Sequence, residues 1–239
     1  MKAELDARND EIISSFTDSQ VNWVDDMTIR CQGATIKLTQ GLHFQHSSGD
    51  RVTLFKDDSF VNAYIRCLKG LKVDNMVELG IKDGGSAVFF WSLLKPSKFA
   101  CIELNPSAPQ LTHYIEQEGL SDSISTLFGT DQSDKKTIGT FMEARFSSDP
   151  LDLVIDDASH MYIPSLASFE CLFPRLRHGG LYILEDWKVG LLLRLLKKKT
   201  PLSDPPLHKL VHELIELTLY EKDIVASVSC FNNFVVIER

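Results

Sequence analysis

Short apolar runs that end abruptly in carboxylates, separated by stretches of helical length, fill residues 75–187 and leave this chain few folds to choose from. The two densest are residues 151–160 (LDLVIDDASH) and 180–187 (GLYILEDW). A strand buried on both faces, as in a parallel sheet, reads as a continuous apolar run. In open parallel sheets, ligands sit beyond the carboxyl ends of the strands. Asp156, Asp157 and His160 follow the first run; Glu185 and Asp186 follow the second. Neighbouring strands lie about 4.8 Å apart, so these groups converge if the two runs are neighbours. Carboxylates that close repel one another unless a cation or a shared proton compensates. A hard divalent ion is the simplest compensation.

The α/β rhythm starts at residues 75–79, read as a strand. Residues 84–94 read as a helix stopped by Pro96, 99–104 as a strand, and 108–118 as a helix stopped at Gly119. Strands at 124–128, 151–155 and 180–184 alternate with helices at 135–144 and 164–176. After Trp187 the pattern changes to helices at 189–199 and 207–220, separated by TPLSDPP. Two strands at 224–230 and 234–238 flank the turn signal Asn232-Asn233. The expectation is an α/β fold, a mostly parallel sheet with right-handed crossovers and helices on both faces, closed by an antiparallel C-terminal hairpin.

Upstream, residues 1–16 read as a short amphipathic helix suited to a homo-oligomer contact. Residues 20–56 hold alternating stretches (TIKL, VTLF) separated by Gly33, Gly41 and Gly49, a small β-rich entry segment. Residues 59–71 carry helical apolar spacing. The division expected from this is an N-terminal extension at 1–55 and a main domain at 56–239, with a helical cover at 188–222.

Composition excludes several classes. A net charge of −8 over 239 residues disfavours a nucleic-acid groove, which needs a basic stripe. No apolar stretch reaches the length of a membrane span, and the start has no signal-peptide apolar core, so the expected location is the cytoplasm. The five cysteines are scattered without a CxxC pair and read as small buried hydrophobes. The basic cluster Arg194, Lys197, Lys198 and Lys199 reads as a solvated helix end. His208 and His212 have i, i+4 spacing but not the HExxH order of zinc proteases, and read as polar positions of an amphipathic helix.

The first strand of the rhythm runs into a glycine-rich turn with Glu78, Gly80, Gly84, Gly85 and Ser86. Glycines let a backbone turn sharply and approach a ligand. Their spacing is Gly-x-x-x-Gly-Gly, not the Gly-x-Gly-x-x-Gly of dinucleotide enzymes. Glu103 ends the second strand, where an acid roughly 20 residues past the glycine turn grips ribose hydroxyls; the plainer alternative is a surface carboxylate. Asp131 caps the following helix or faces an adenine edge together with Gln132, and the sequence favours neither. Asp156 orients its loop or approaches the cofactor.

These motifs resemble those of the class I S-adenosylmethionine-dependent methyltransferases. VELGIKDGGSA is similar to their first motif, CIELNP to their ribose-binding strand end, and FNNFVVIER to their last strand. DDASH followed by LFPRLRHGGLYILEDW resembles one branch, the metal-dependent sugar O-methyltransferases of macrolide and related pathways, with the rhamnosyl O-methyltransferase and cephalosporin-hydroxylase-like proteins. The resemblance spans about residues 55–190 plus the last strand and implies a Rossmann-like seven-stranded sheet. It implies that Glu78, Gly80, Gly84, Gly85, Ser86 and Glu103 bind S-adenosylmethionine, with Asp131, Gln132 and Asp156 nearby. It further implies that Asp157, Glu185 and Asp186 hold Mg²⁺ or a similar divalent cation, and that His160 is the general base with Asp157 beside it. The branch has Gly where this chain has Ala158.

The implied partner is a small-molecule hydroxyl acceptor such as a glycosylated metabolite, with neither nucleic acid nor membrane involved. Two other readings share the motifs: a catechol or phenol O-methyltransferase, and a non-catalytic cofactor-binding subunit. A nicotinamide oxidoreductase fits the glycine spacing less well.

Overall fold

The structure is a computed structural model that describes residues 21–31, 34–38, 52–221 and 223–239. The helix expected at 1–16 lies outside the described residues, as does any oligomer contact made by it. The chain divides into two compact units.

The first unit comprises the described residues up to 72, with 83–95 and 108–118. Its sheet has four strands in the order β1 (Val21–Asp25), β2 (Thr28–Cys31), β3 (Ala34–Leu38) and β4 (Val52–Leu54), antiparallel except for the β3–β4 pair. Helix α1 (Asp58–Cys67) starts where Asp57 accepts the Phe60 N–H at 2.9 Å, satisfying one of the donors that a helix start leaves open. Helix α2 (Gly85–Leu94) is apolar on every side and buried through Leu93, the pattern of a core helix rather than a surface one. It packs on β2, β3, β4 and α3 (Pro109–Gln117), and Phe90 meets the Tyr64 ring edge-on at 4.9 Å. The unit therefore cuts the chain differently from a boundary at residue 55. The reason is packing: α2, expected in the main domain, buries its apolar sides against the N-terminal strands, and α3 packs on α2.

The second unit comprises residues 73–82, 96–107 and 119–239. Its seven strands are β5 (Asn75–Leu79), β6 (Lys98–Glu103), β7 (Ile124–Phe128), β8 (Leu151–Asp156), β9 (Leu176–Glu185), β10 (Ser227–Cys230) and β11 (Phe234–Glu238). Their order is β10-β11-β9-β8-β5-β6-β7. The five strands β5 to β9 pair in parallel, and β11 and β10 close one side antiparallel, as expected.

Side chains alternate across a strand, and the alternation sorts this sheet. Val77, Leu79, Ala100, Ile102, Val154, Tyr182, Leu184, Val235 and Ile237 share one core with α4 (Lys135–Phe146), α5 (Tyr162–Leu172) and α7 (His208–Tyr220). Met76, Glu78, Phe99, Cys101, Glu103, Leu153, Ile155, Ile183 and Glu185 occupy the opposite face and are buried as well. Helix α6 (Val189–Leu195) stops earlier than residue 199. Gly190 permits its close approach to Leu202: an added Cβ would clash with that residue's carbonyl oxygen. Among the described residues, no helix is long and apolar enough to cross a membrane.

Candidate active site

Register places the candidate residues. Leu79 pairs with Ile102 and Asp156, and Asp156 with Leu184. The strands β6, β5, β8 and β9 thus end nearly level, and Glu103, Gly80, Asp157, Glu185 and Asp186 stand along one edge. This is the carboxyl edge, where an open α/β sheet binds ligands.

The two acidic tips meet. Ligand atoms of Asp157, His160 and Asp186 all lie within 4.8 Å of one another. The His160 Nε2 is 3.9 Å from a carboxylate oxygen of Asp157 and 3.7 Å from one of Asp186. All three side chains are partly exposed, Asp186 most at 43%. His160 and Asp186 both adopt left-handed backbone, with φ of 55° and 52°. Few residues other than glycine hold that conformation, Asp and His more readily than most, and such strain is found at functional sites. The surroundings are visible here. The Asp186 N–H donates to Asn233 in the β10–β11 turn at 2.9 Å, and the Trp187 indole N–H donates to the Phe231 carbonyl at 3.1 Å. Asp157 N–H donates to the Leu79 carbonyl at 2.9 Å. Glu185 stands apart from this grouping: it is 1% exposed, on the same face as Glu78 and Glu103.

Glu103 is buried and its two oxygens receive the backbone N–H groups of Lys82 at 2.7 Å and Asn105 at 2.8 Å. It is a fixed carboxylate rather than a loose surface one. Glu78 is wholly buried one strand away, and together with burial it pushes the Cys101 thiol well above its ordinary range. Gly80 has φ of 82°, and an added Cβ would lie 2.6 Å from the Ala158 Cα. Its bareness lets the β8 loop pass over it. In the first unit, Gly84 has φ of 89° with an added Cβ 2.5 Å from that of Leu111, and one on Gly85 would lie 2.6 Å from the Thr53 carbonyl carbon. Ser86 is buried in the first turn of α2. All three glycines are thus required by the protein's own packing, whatever they offer a ligand.

Two expectations need revision. Asp131 does not cap α4: Asp134 does, accepting the Thr137 N–H at 3.0 Å. Asp131 instead closes its own turn, and the Ser133 hydroxyl and N–H that it accepts at 2.6 and 2.7 Å hold its carboxyl below the usual range. Gln132 and Asp156 lie on the helical face of the sheet, in a buried network with Ser168 and Tyr182. Asp156 faces away from Asp157 because neighbouring residues of a strand alternate. Complete burial raises the Asp156 carboxyl despite the hydroxyls of Tyr182 and Ser168. The sequence left this network unread. Its one signal was Ser165 and Ser168, polar residues three apart on the buried stripe of α5.

Comparison with known proteins bears on this geometry. Residues 77–187 match the family model described as a methyltransferase domain. Demethylmacrocin O-methyltransferase of Streptomyces fradiae is 46% identical over 63 residues, 26% of this chain and 15% of that protein. A solved structure of MycE methyltransferase from the mycinamycin biosynthetic pathway, in complex with Mg, SAH and mycinamycin VI, aligns with a TM-score of 0.57 at 21% identity. It covers 74% of this chain and 47% of MycE. An O-methyltransferase from Bacillus cereus in complex with SAH aligns with a TM-score of 0.55 at 16% identity, covering 77% and 82%. These structures share the Rossmann-like fold of the domain. The chain spans about half the length of MycE, and its match to the demethylmacrocin enzyme covers a much smaller share of that protein.

Proposed function

We propose that the chain is an S-adenosylmethionine-dependent O-methyltransferase acting on a hydroxyl of a sugar or another small polar metabolite, with Mg²⁺ or a similar divalent cation. The observation that carries this reading is the meeting of Asp157, His160 and Asp186 at the tips of two adjacent parallel strands. The relatives named above supply the reaction type, and MycE binds Mg and SAH.

The donor set suits a hard ion. Two partly exposed carboxylates offer oxygen ligands and leave positions open to water or to a diol. Glu185, the other carboxylate expected of the set, is 1% exposed and lies outside this grouping. A divalent ion held by Asp157 and Asp186 would lower the pKa of a coordinated hydroxyl and fix its position. His160 then takes the acceptor's proton at Nε2, the atom that faces both carboxylates. As it does so, the acceptor oxygen forms a bond to the methyl carbon, and the carbon–sulfur bond of the donor breaks to leave a neutral thioether. Glu103 and Glu78 hold the donor's polar groups at the ends of β6 and β5, and the turn at Gly80 gives the backbone room beside it.

The test is methyl transfer from labelled S-adenosylmethionine to a panel of glycosides and catechols, with and without chelator. Chelator-sensitive methylation of a glycoside supports the reading. Turnover confined to catechols transfers the assignment to phenolic acceptors. Tight S-adenosylhomocysteine binding without turnover on any acceptor marks a non-catalytic subunit, and turnover indifferent to chelator removes the metal.

A further inference from the structure

Gln132 lies between β7 and α4, 5% exposed, and its carboxamide is used up inside the protein. Its Oε1 accepts the Ser159 N–H at 2.7 Å. Its Nε2 donates to the Asp156 carboxylate at 3.2 and 3.3 Å and to the Ser168 hydroxyl at 3.1 Å. A primary amide has two N–H donors, so neither remains for an adenine edge. Asp156 is held in turn: its Oδ2 accepts from the Ser168 hydroxyl at 2.8 Å and from the Tyr182 hydroxyl at 2.7 Å. Strands β8 and β9, helix α5 and the β7 loop are joined at this point, beneath the tip that carries Asp157 and His160.

Ser159 is the residue between the cation-facing part of that tip and His160. His160 itself has left-handed backbone, which an L-residue rarely holds unaided. The loop is pinned on both sides: Asp157 N–H to Leu79, Ser159 N–H to Gln132, and Met161 N–H to the Ser159 hydroxyl at 3.2 Å. Of these, the Gln132 bond is the one that reaches across from another loop into the middle of the tip. Asparagine is a methylene too short to span from Asp156 to Ser159. Glutamate would set a second carboxylate against Asp156.

We infer that Gln132 is a positioning residue: braced by Asp156 and Ser168, it holds the 157–160 loop so that Asp157 and His160 face Asp186 before any ligand arrives. The inference rests on the proposed reading of that cluster as a cation-and-base site, and assigns Gln132 a part in it instead of a contact to the methyl donor. Residues that orient metal ligands in this way typically cost 10–100-fold in metal affinity when altered.

The experiment uses the full chain, with Mn²⁺ as a spin-active probe of the cation site and S-adenosylhomocysteine titrated by calorimetry. Gln132→Met is expected to weaken Mn²⁺ binding by about 10-fold or more while leaving S-adenosylhomocysteine affinity close to wild type. Tyr182→Phe removes another donor from the same network but spares the Ser159 bond, and should leave Mn²⁺ affinity close to wild type. Equal Mn²⁺ loss in both variants would reduce Gln132 to general core support. Lost S-adenosylhomocysteine affinity with intact Mn²⁺ binding would restore it to the donor site. Should Gln132→Met fail to fold, hydrogen exchange on the metal-free wild type decides: a protected Ser159 amide upholds the inference, and one exchanging as freely as open loop overturns it. A wild-type chain that binds S-adenosylhomocysteine but no Mn²⁺ sinks the cation reading instead, and the exchange measurement still reports on the loop.

Discussion

At the scale of single residues, the site depends on two carboxylates that face each other across a histidine. Asp157 and Asp186 lie on neighbouring tips with His160 Nε2 between them, nearer than 4 Å to each. Removing either charge while keeping its shape should therefore dismantle the cation site and little else. Asp157→Asn and Asp186→Asn are each expected to lower Mn²⁺ affinity by at least about 10-fold, with S-adenosylhomocysteine binding retained in calorimetry. His160→Gln addresses a different step. As a general base, its loss should slow single-turnover methyl transfer by about 10²–10⁴-fold, with Mn²⁺ and S-adenosylhomocysteine still bound. If Mn²⁺ binding collapses along with the rate, His160 is a ligand and the base must be sought elsewhere.

At the scale of elements, Gly80 shows how a loop and a strand are made to fit. Its φ of 82° and the Ala158 backbone above it leave no room for a side chain. Gly80→Ala should cost about 2–4 kcal/mol in urea denaturation, combining left-handed strain with a backbone clash that forces the Asp157 tip aside. Helix α7 carries a pH response. Burial, and then the neighbouring His212 and Arg194, hold the His208 imidazole below its ordinary value of 6.5. A histidine with a depressed folded pKa binds fewer protons folded than unfolded, so stability rises with pH in that window. The native state should therefore melt lower as pH falls from 6.5 through the folded pKa of His208. His208→Gln should flatten that part of the melting curve measured against pH. The elements with plain apolar runs were legible in the sequence: β5 and β7 have the expected bounds, and Pro96 and Gly119 mark helix ends. Strand β9 starts four residues before Gly180, because Arg177, His178 and Gly179 break the apolar run that the eye follows. The acidic tips were legible because carboxylates at the ends of apolar runs have few structural uses. The Gln132–Asp156 network was not, since two polar residues far apart in sequence reveal their pairing only once the sheet brings them together.

At the scale of the molecule, the second unit is organised around a core that includes helix α7. Leu210, Val211 and Leu214 of α7 belong to the same buried cluster as Tyr182 and Leu184 of the sheet and Phe169 of α5. Tyr162 ties α5 to α7 as well, donating to Glu213 at 2.8 Å while the Lys209 ammonium sits 4.4 Å from its ring centre. Such a helix is not a detachable lid, because opening it would expose apolar area that the sheet depends on. Helix α6 differs: Leu192 and Leu195 are 57% and 71% exposed, so little of their apolar area is removed from water. Helices α6 and α7 should therefore respond differently to truncation. Leu210→Ala is expected to lower unfolding free energy by about 2–5 kcal/mol, from lost transfer energy and the cavity left behind. Leu195→Ala should change it by no more than about 0.5 kcal/mol. Guanidinium denaturation followed by tryptophan fluorescence and by circular dichroism measures both. For Leu210→Ala, a lower midpoint with an unchanged slope in both probes means that α7 unfolds with the sheet. A separate early transition, seen by one probe and missing from the other, would make α7 an independent flap rather than part of the sheet's core.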